Sequence, residues 1–289
     1  MARAARVLPL LLVAGAAACV PVPPPAMSGR SAPLPAAGDA LVRPEGYRLV
    51  WSDEFDTGDR PDPARWHYET LRNRKGWFND EQQYYSRDRR ENARIEAGRL
   101  IIDARHETLG AEGRADWSGQ AFTSARLTTR GKAAWRHAFI EVRAKLPCVR
   151  GAWPAIWLLP EHQDMRWQGG EIDIAETVGY EPRTVHHAVQ TADRNFARGN
   201  HARAVSTTDY CGTFHDYQML WTPDRILIGI DGKVAFATSD VAPFDRRMAL
   251  ILNVAVGGPW AGAQGIDTAG FPARMEVERI GVWQRNPGK

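Results

Sequence analysis

Long apolar runs, helical periodicity and internal repeats are all missing from this sequence of 289 residues. The longest apolar segment, Val7 to Ala18, falls well short of the ~20 residues a transmembrane helix needs, so none is predicted. Without a 3.6-residue pattern there is no case for a helical bundle. Charge of one sign is lacking too: 37 Lys and Arg face 34 Asp and Glu, and two of the cations are Arg3 and Arg6. No basic stripe emerges, so a nucleic-acid partner is not implied. Cysteine is scarce, with three in the chain. What the sequence does have, across residues 43–286, is short apolar runs, scattered tryptophan and frequent Gly or Pro punctuation. That pattern predicts an all-β sandwich of jelly-roll type, two antiparallel sheets around one core.

The first 42 residues read differently. Arg3 and Arg6 precede the apolar run, which ends in small residues, as expected of an export signal over 1–18. Cys19 follows Ala16-Ala17-Ala18, an arrangement that resembles the lipobox of bacterial lipoproteins, where the cysteine is lipidated. Ala16 stands where leucine is usual, and an ordinary signal-peptidase cut nearby is the alternative. Residues 19–42 carry six prolines among small residues, with little to bury, and are expected to form a tether. Export would place Cys148 and Cys211 where leftover cysteines usually pair; two separately buried thiols are the alternative.

The chemistry centres on Glu171-Ile172-Asp173-Ile174-Ala175-Glu176. Charged and β-branched residues alternate with period 2, the mark of a strand with one buried face. Glu171 and Asp173 share a face, but Glu176, five positions from Glu171, would fall on the apolar side of an unbroken strand. An unpaired carboxylate there is expensive. A β-bulge near Ile174–Ala175 restores Glu176 to the acidic face and makes a row of three. Two glutamates leaning together across that row approach the ~5–5.5 Å separation of a retaining glycosidase. Asp173 between them would raise the pKa of whichever glutamate holds a proton. Alone, this spacing also fits a solvated strand with an acidic outer face.

The flanks decide. Asn79 and Glu81 stand among Trp77, Phe78, Tyr84 and Tyr85, a mix suited to sugar hydroxyls and sugar faces, or to an ordinary surface loop. Arg126 alternates in a strand and reads as either a cleft residue or a solvated one. Trp153 and Trp157 lie four apart in an apolar run, a spacing that by itself favours core.

In order along the chain, Trp51-x-Asp53-Glu54-Phe55, Asn79-x-Glu81, Trp153-Pro154-Ala155-Ile156-Trp157, Glu171 to Glu176, Phe214-His215-x-Tyr217 and Asn253-x-Ala255-Val256-Gly257-Gly258-x-Trp260 together resemble glycoside hydrolase family 16, in its laminarinase-like branch. The resemblance implies a concave sheet carrying a substrate cleft, and retaining hydrolysis of internal β-1,3 bonds in glucans. It implies Glu171 as nucleophile, Glu176 as acid/base and Asp173 as assisting carboxylate. Asn79, Glu81, Arg126, Trp153, Trp157, Gln190, Asn253 and Trp260 would bind substrate. The longer ExDxxE spacing is that of laminarinases rather than lichenases. No cofactor is expected for catalysis, although the resemblance implies a structural calcium, with Glu54 and Glu278 at the corresponding positions.

The sequence departs from the family pattern at Gln190 and Phe196, where relatives commonly carry histidine. Gln190 can hydrogen-bond a hydroxyl but does not titrate near neutral pH. Mixed-linkage β-1,3-1,4-glucanase or transglycosylase activity is the enzymatic alternative; a glucan-binding module without turnover is the other. The partner is expected to be a β-glucan, the chain a monomer, and a membrane is met only through a lipid on Cys19. Labelled fatty acid should be incorporated by the wild-type chain and not by Cys19→Ala; unlabelled protein cut elsewhere would leave export alone standing.

Overall fold

The computed structural model describes residues 33–162 and 167–286. The predicted signal, Cys19 and the first part of the tether lie outside the described residues. Two sheets face each other, one of seven strands and one of ten, as the alternating apolar pattern requires. The seven-stranded sheet carries the candidate site. Its strands are β1 (His67–Tyr68), β2 (Arg126–Thr128), β3 (Ala152–Pro160), β4 (Glu171–Glu176), β5 (Thr184–Gln190), β6 (Ala202–Thr207) and β7 (Met248–Val256). In space they run β6-β5-β4-β3-β7-β2-β1, every pair antiparallel. Ile156, Leu158, Ile172, Ile174, Leu250, Leu252 and Val254 point inward and are fully buried. They meet Ile140, Val142, Met219, Ile228, Val277 and Ile280 of the opposite sheet in one core.

The bulge is present where parity demands it. Between β4 and β5 the register shifts between Asp173 and Glu176, and between β4 and β3 it shifts between Asp173 and Ala175. Gly170, just before Glu171, has φ +82°, and a Cβ there would lie 2.4 Å from the Phe244 ring. Only glycine enters the strand at that angle without strain.

The predicted tether ends earlier than residue 42. Leu41 is buried against Leu227 and Val234. Gly38 N–H donates to the Val234 carbonyl, and Leu41 N–H to that of Gly232. One apolar side chain and an open strand edge thus anchor residues whose composition suggests a free linker. The Lys233–Val234 end of the strand Lys233–Thr238 is covered as a result.

On the outer face of the larger sheet, charges pair in a ladder. Arg143 donates to Glu278 at 2.7 Å, Lys145 lies 2.7 Å from Glu276, and Arg279 bridges Glu141 and Asp216. Glu278 is thus neutralised by a guanidinium, and Glu54 lies exposed. Among the described residues no group of three or more acidic, His or Cys side chains is placed to hold a metal ion.

Cys148 and Cys211 form a disulfide, with their Cα atoms 5.6 Å apart and a separation of 63 positions in sequence. They close the ends of the paired strands Phe139–Lys145 and His215–Trp221. With Cys19 replaced by alanine, denatured and unreduced protein should show no free thiol. Opening a loop of that length should lower stability by about 2–4 kcal/mol. Two reactive thiols would remove the bridge.

Candidate active site

Alternate residues of five neighbouring strands floor a cleft: Trp153, Ala155 and Trp157 of β3, Glu171, Asp173 and Glu176 of β4, His186, Ala188 and Gln190 of β5, Arg203 of β6, and Asn253 and Ala255 of β7. Period-2 alternation delivers them to one face while their neighbours fill the core. Asn79 and Glu81 join from the loop before the strand Gln83–Tyr85, and Trp260 from the short helix Gly258–Ala261. All eight sequence-derived substrate candidates therefore line the same cleft as the three carboxylates. Asn79 sits at φ +60°, a conformation asparagine tolerates better than most residues. Gly258 lets the Trp260 segment close on it, since a Cβ there would lie 2.3 Å from the Asn79 carbonyl oxygen.

The carboxylate row is electrostatically divided. Asp173 is 1% exposed, and burial, then Glu176 and Glu171, push its pKa well above the ordinary aspartate value. Glu176 is pushed up to about 8, chiefly by burial and next by the charge on Glu171, while its hydrogen bond from Trp153 pulls the other way. Trp153 Nε1–H donates to Glu176 Oε1 at 3.0 Å. Gln190 answers on the other side: its amide nitrogen donates to Glu171 Oε1 at 2.6 Å and to Asp173 Oδ2 at 3.1 Å. The Phe196 backbone N–H donates to Gln190 Oε1 at 3.1 Å, which fixes the amide orientation. Gln190 thus holds the carboxylates themselves. At neutral pH Glu176 carries a proton, and Glu171 accepts a hydrogen bond that favours its ionised form. One protonated and one ionised glutamate in a single row is the arrangement required of an acid beside a nucleophile.

The rest of the floor is aromatic and tightly wired. Arg126 resolves as a cleft residue, but its guanidinium is committed: it ion-pairs with Glu69 and lies over the Trp157 ring at 4.6 Å and the Trp77 ring at 5.2 Å. Glu69 also takes Arg130 and is held ionised, its burial outweighed by the two guanidiniums. Trp157 Nε1–H donates to Asn253 Oδ1 at 2.7 Å, and Asn253 Nδ2 donates to the Tyr85 hydroxyl at 3.0 Å. Trp153 and Trp260 pack edge to face at 4.9 Å, with His186 against Trp260 at the same distance. Glu81, hydrogen-bonded by Gln83, is raised by burial to about 7. At the cleft margins stand Phe78, Trp167, His201 and Phe196, which sequence reasoning did not select as binding residues. They come from loops, where no periodicity points to a shared face.

Residues 78–278 match the family model described as Glycosyl hydrolases family 16. A beta-glucanase of Rhodothermus marinus is 42% identical over 254 residues, covering 82% of this chain and 85% of the relative. A glucan endo-1,3-beta-glucosidase of Cryptopygus antarcticus is 34% identical, covering 82% of this chain and 92% of its own length. The crystal structure of SCLam, a non-specific endo-beta-1,3(4)-glucanase, superimposes with a TM-score of 0.83 at 43% identity, covering 86% of this chain and 96% of that one.

The raised pKa of Glu176 has a consequence for stability. Between the ordinary glutamate range and about pH 8 the folded protein keeps a proton that the unfolded chain has released. Stability contributed by this group is therefore full at low pH and is lost as pH rises through that window. Glu176→Gln should raise the melting temperature at pH 8–9 more than at pH 4–5. Equal effects at both pH values would show that Glu176 titrates in the ordinary range.

Proposed function

The chain belongs to glycosyl hydrolases family 16, and from that premise we propose that it is a retaining, endo-acting hydrolase of internal β-1,3-glucosidic bonds in laminarin-type β-glucans. The observation that carries the reading is the division of the row into Glu171, hydrogen-bonded by Gln190, and Glu176, holding a proton in a wall of tryptophan. In the first step a Glu171 oxygen attacks the anomeric carbon while Glu176 gives its proton to the departing glycosidic oxygen. The products are a glycosyl ester on Glu171 and a free sugar hydroxyl. In the second step Glu176, now a carboxylate, takes a proton from water as the water oxygen displaces Glu171. Two inversions leave the configuration unchanged. Asp173, its pKa raised by burial and by Glu176 and Glu171, stands between them in the row and takes no part in bond making.

The aromatic floor suits the apolar faces of glucose rings, and Asn79, Glu81 and Asn253 suit their hydroxyls. Mixed-linkage β-1,3-1,4-glucan is the second reading, favoured by the similarity to SCLam, whose activity is described as non-specific. We place the protein outside the cytoplasm, either secreted or held to a membrane by lipid on Cys19, a reading supported by the composition of residues 1–42.

Reducing-sugar release from laminarin, mixed-linkage glucan and agarose separates the substrate readings. Release only from agarose would overturn both. Glu171→Ala should be inactive on every glucan, and Glu176→Ala should lose roughly 10²–10⁴-fold in kcat on laminarin. On an aryl glycoside with an acidic phenol, Glu176→Ala should still form the glycosyl ester, and added azide should yield the β-azide. Exchanged behaviour of the two variants would reverse the roles. Inverted product from wild type would refute the retaining mechanism.

A further inference from the structure

A single residue of β5 stands opposite the bulge in β4. Asp173 pairs with Ala188 and Glu176 with His186, so Ile174 and Ala175 together face His187. On the other flank Asp173 pairs with Trp157 and Ala175 with Ile156, leaving Ile174 as the residue in excess. A bulge removes its extra residue from the ladder, and Ile174 is fully buried, out of reach of bulk water. Its carbonyl needs a donor from elsewhere.

His187 supplies it. Its side chain turns into the core with Val185 and Val189, and the residue is 0% exposed. Nδ1 lies 2.6 Å from the Ile174 carbonyl oxygen, and Nε2 lies 2.8 Å from the Ser206 hydroxyl on β6. A carbonyl oxygen only accepts, so Nδ1 carries the hydrogen and Nε2 accepts from Ser206. Burial pushes the ring's pKa down to about 4, which keeps it neutral and this tautomer intact.

We infer that His187, oriented by Ser206, is a positioning residue: it fastens the β4 bulge and so keeps Glu176 on the cleft face beside Glu171. The side chain acts through the Ile174 backbone, on the side of the sheet away from the reacting atoms. This assignment rests on reading Glu171 and Glu176 as the reacting pair.

Two substitutions separate positioning from packing. His187→Phe keeps a ring and loses the donor; His187→Asn keeps an N–H at similar reach from the backbone. The Phe variant should lose roughly 10–100-fold in kcat on laminarin with KM little changed, since a displacement near 1 Å costs that much, and Asn should restore most of it. The alkaline limb of the Phe variant's pH profile should also move to lower pH. Glu176 displaced from Glu171 gives up its proton more easily, while Glu81 and Trp153, which also face it, are unaltered. A general packing defect lowers activity without moving that limb. If the Phe variant does not fold, Ser206→Ala, which frees the other ring nitrogen, takes its place with the same readouts.

Nitrogen-15 NMR of histidine-labelled wild type should show the His187 ring neutral, with hydrogen on Nδ1, from about pH 5 to 8. A charged ring or an Nε2–H tautomer would overturn the inference, as would a folded Phe variant with wild-type kcat and pH limb. The NMR reading does not depend on turnover. Wild type inactive on every glucan would refute the reaction, and the clamp would then be judged on the ring spectrum alone.

Discussion

Ionised carboxylates on one face of one strand repel each other, and burial strengthens the repulsion by removing the water that screens it. The β4 row sets three carboxyl groups side by side, and the surrounding groups divide the charge. Gln190 offers two N–H bonds to Glu171 and Asp173, and its own carbonyl is held by the Phe196 backbone. Trp153 offers a single neutral donor to Glu176, too little to offset burial and the charge on Glu171. The asymmetry of donors, two carboxylates served by an amide and one by an indole, decides which glutamate keeps the proton. It costs stability, as sites built for chemistry commonly do.

A second buried charge system holds the other half of the cleft. Glu69 gathers Arg126 and Arg130, and Arg126 in turn lies against both Trp77 and Trp157. The Trp157 indole is pinned from its other side through Asn253 to Tyr85. The cleft-lining ring is therefore fixed by a cation and an amide before any ligand arrives, which reduces what binding must order. Removing Glu69 would leave Arg126 buried without its counter-charge, so this salt bridge is as much a condition of the cleft's shape as its tryptophans are.

Much of this was legible in the sequence, and the reason lies in parity. Glu171 and Glu176 are an odd number of positions apart, so a strand bearing both on one face must contain a bulge, and it does. The jelly roll, the Cys148–Cys211 bridge and the eight cleft-lining residues followed from alternation, elimination and resemblance. What stayed hidden depends on partners far apart in the chain. Glu69 meets Arg126 and Arg130 across 57 and 61 positions, and Glu278 meets Arg143 across 135. No local pattern reports such pairs, which is why the sequence leaves Arg126 undecided and does not reveal the Arg143 partner of Glu278. Leu41 was obscured by its neighbours, since one docked leucine hardly alters the composition of a proline-rich stretch.

The spacing of the two glutamates is set by a count of residues rather than by any side chain. No substitution in β4 changes that count. Loss of the single codon for Ile174, by contrast, would leave Glu, Asp and Glu at alternate positions of a regular strand, still on one face. The bulge would vanish, and the carbonyl that His187 serves would vanish with it. Sequence length at this one point is thus a discrete variable for which side-chain parity allows two settings, and the His187–Ser206 pair serves the longer one.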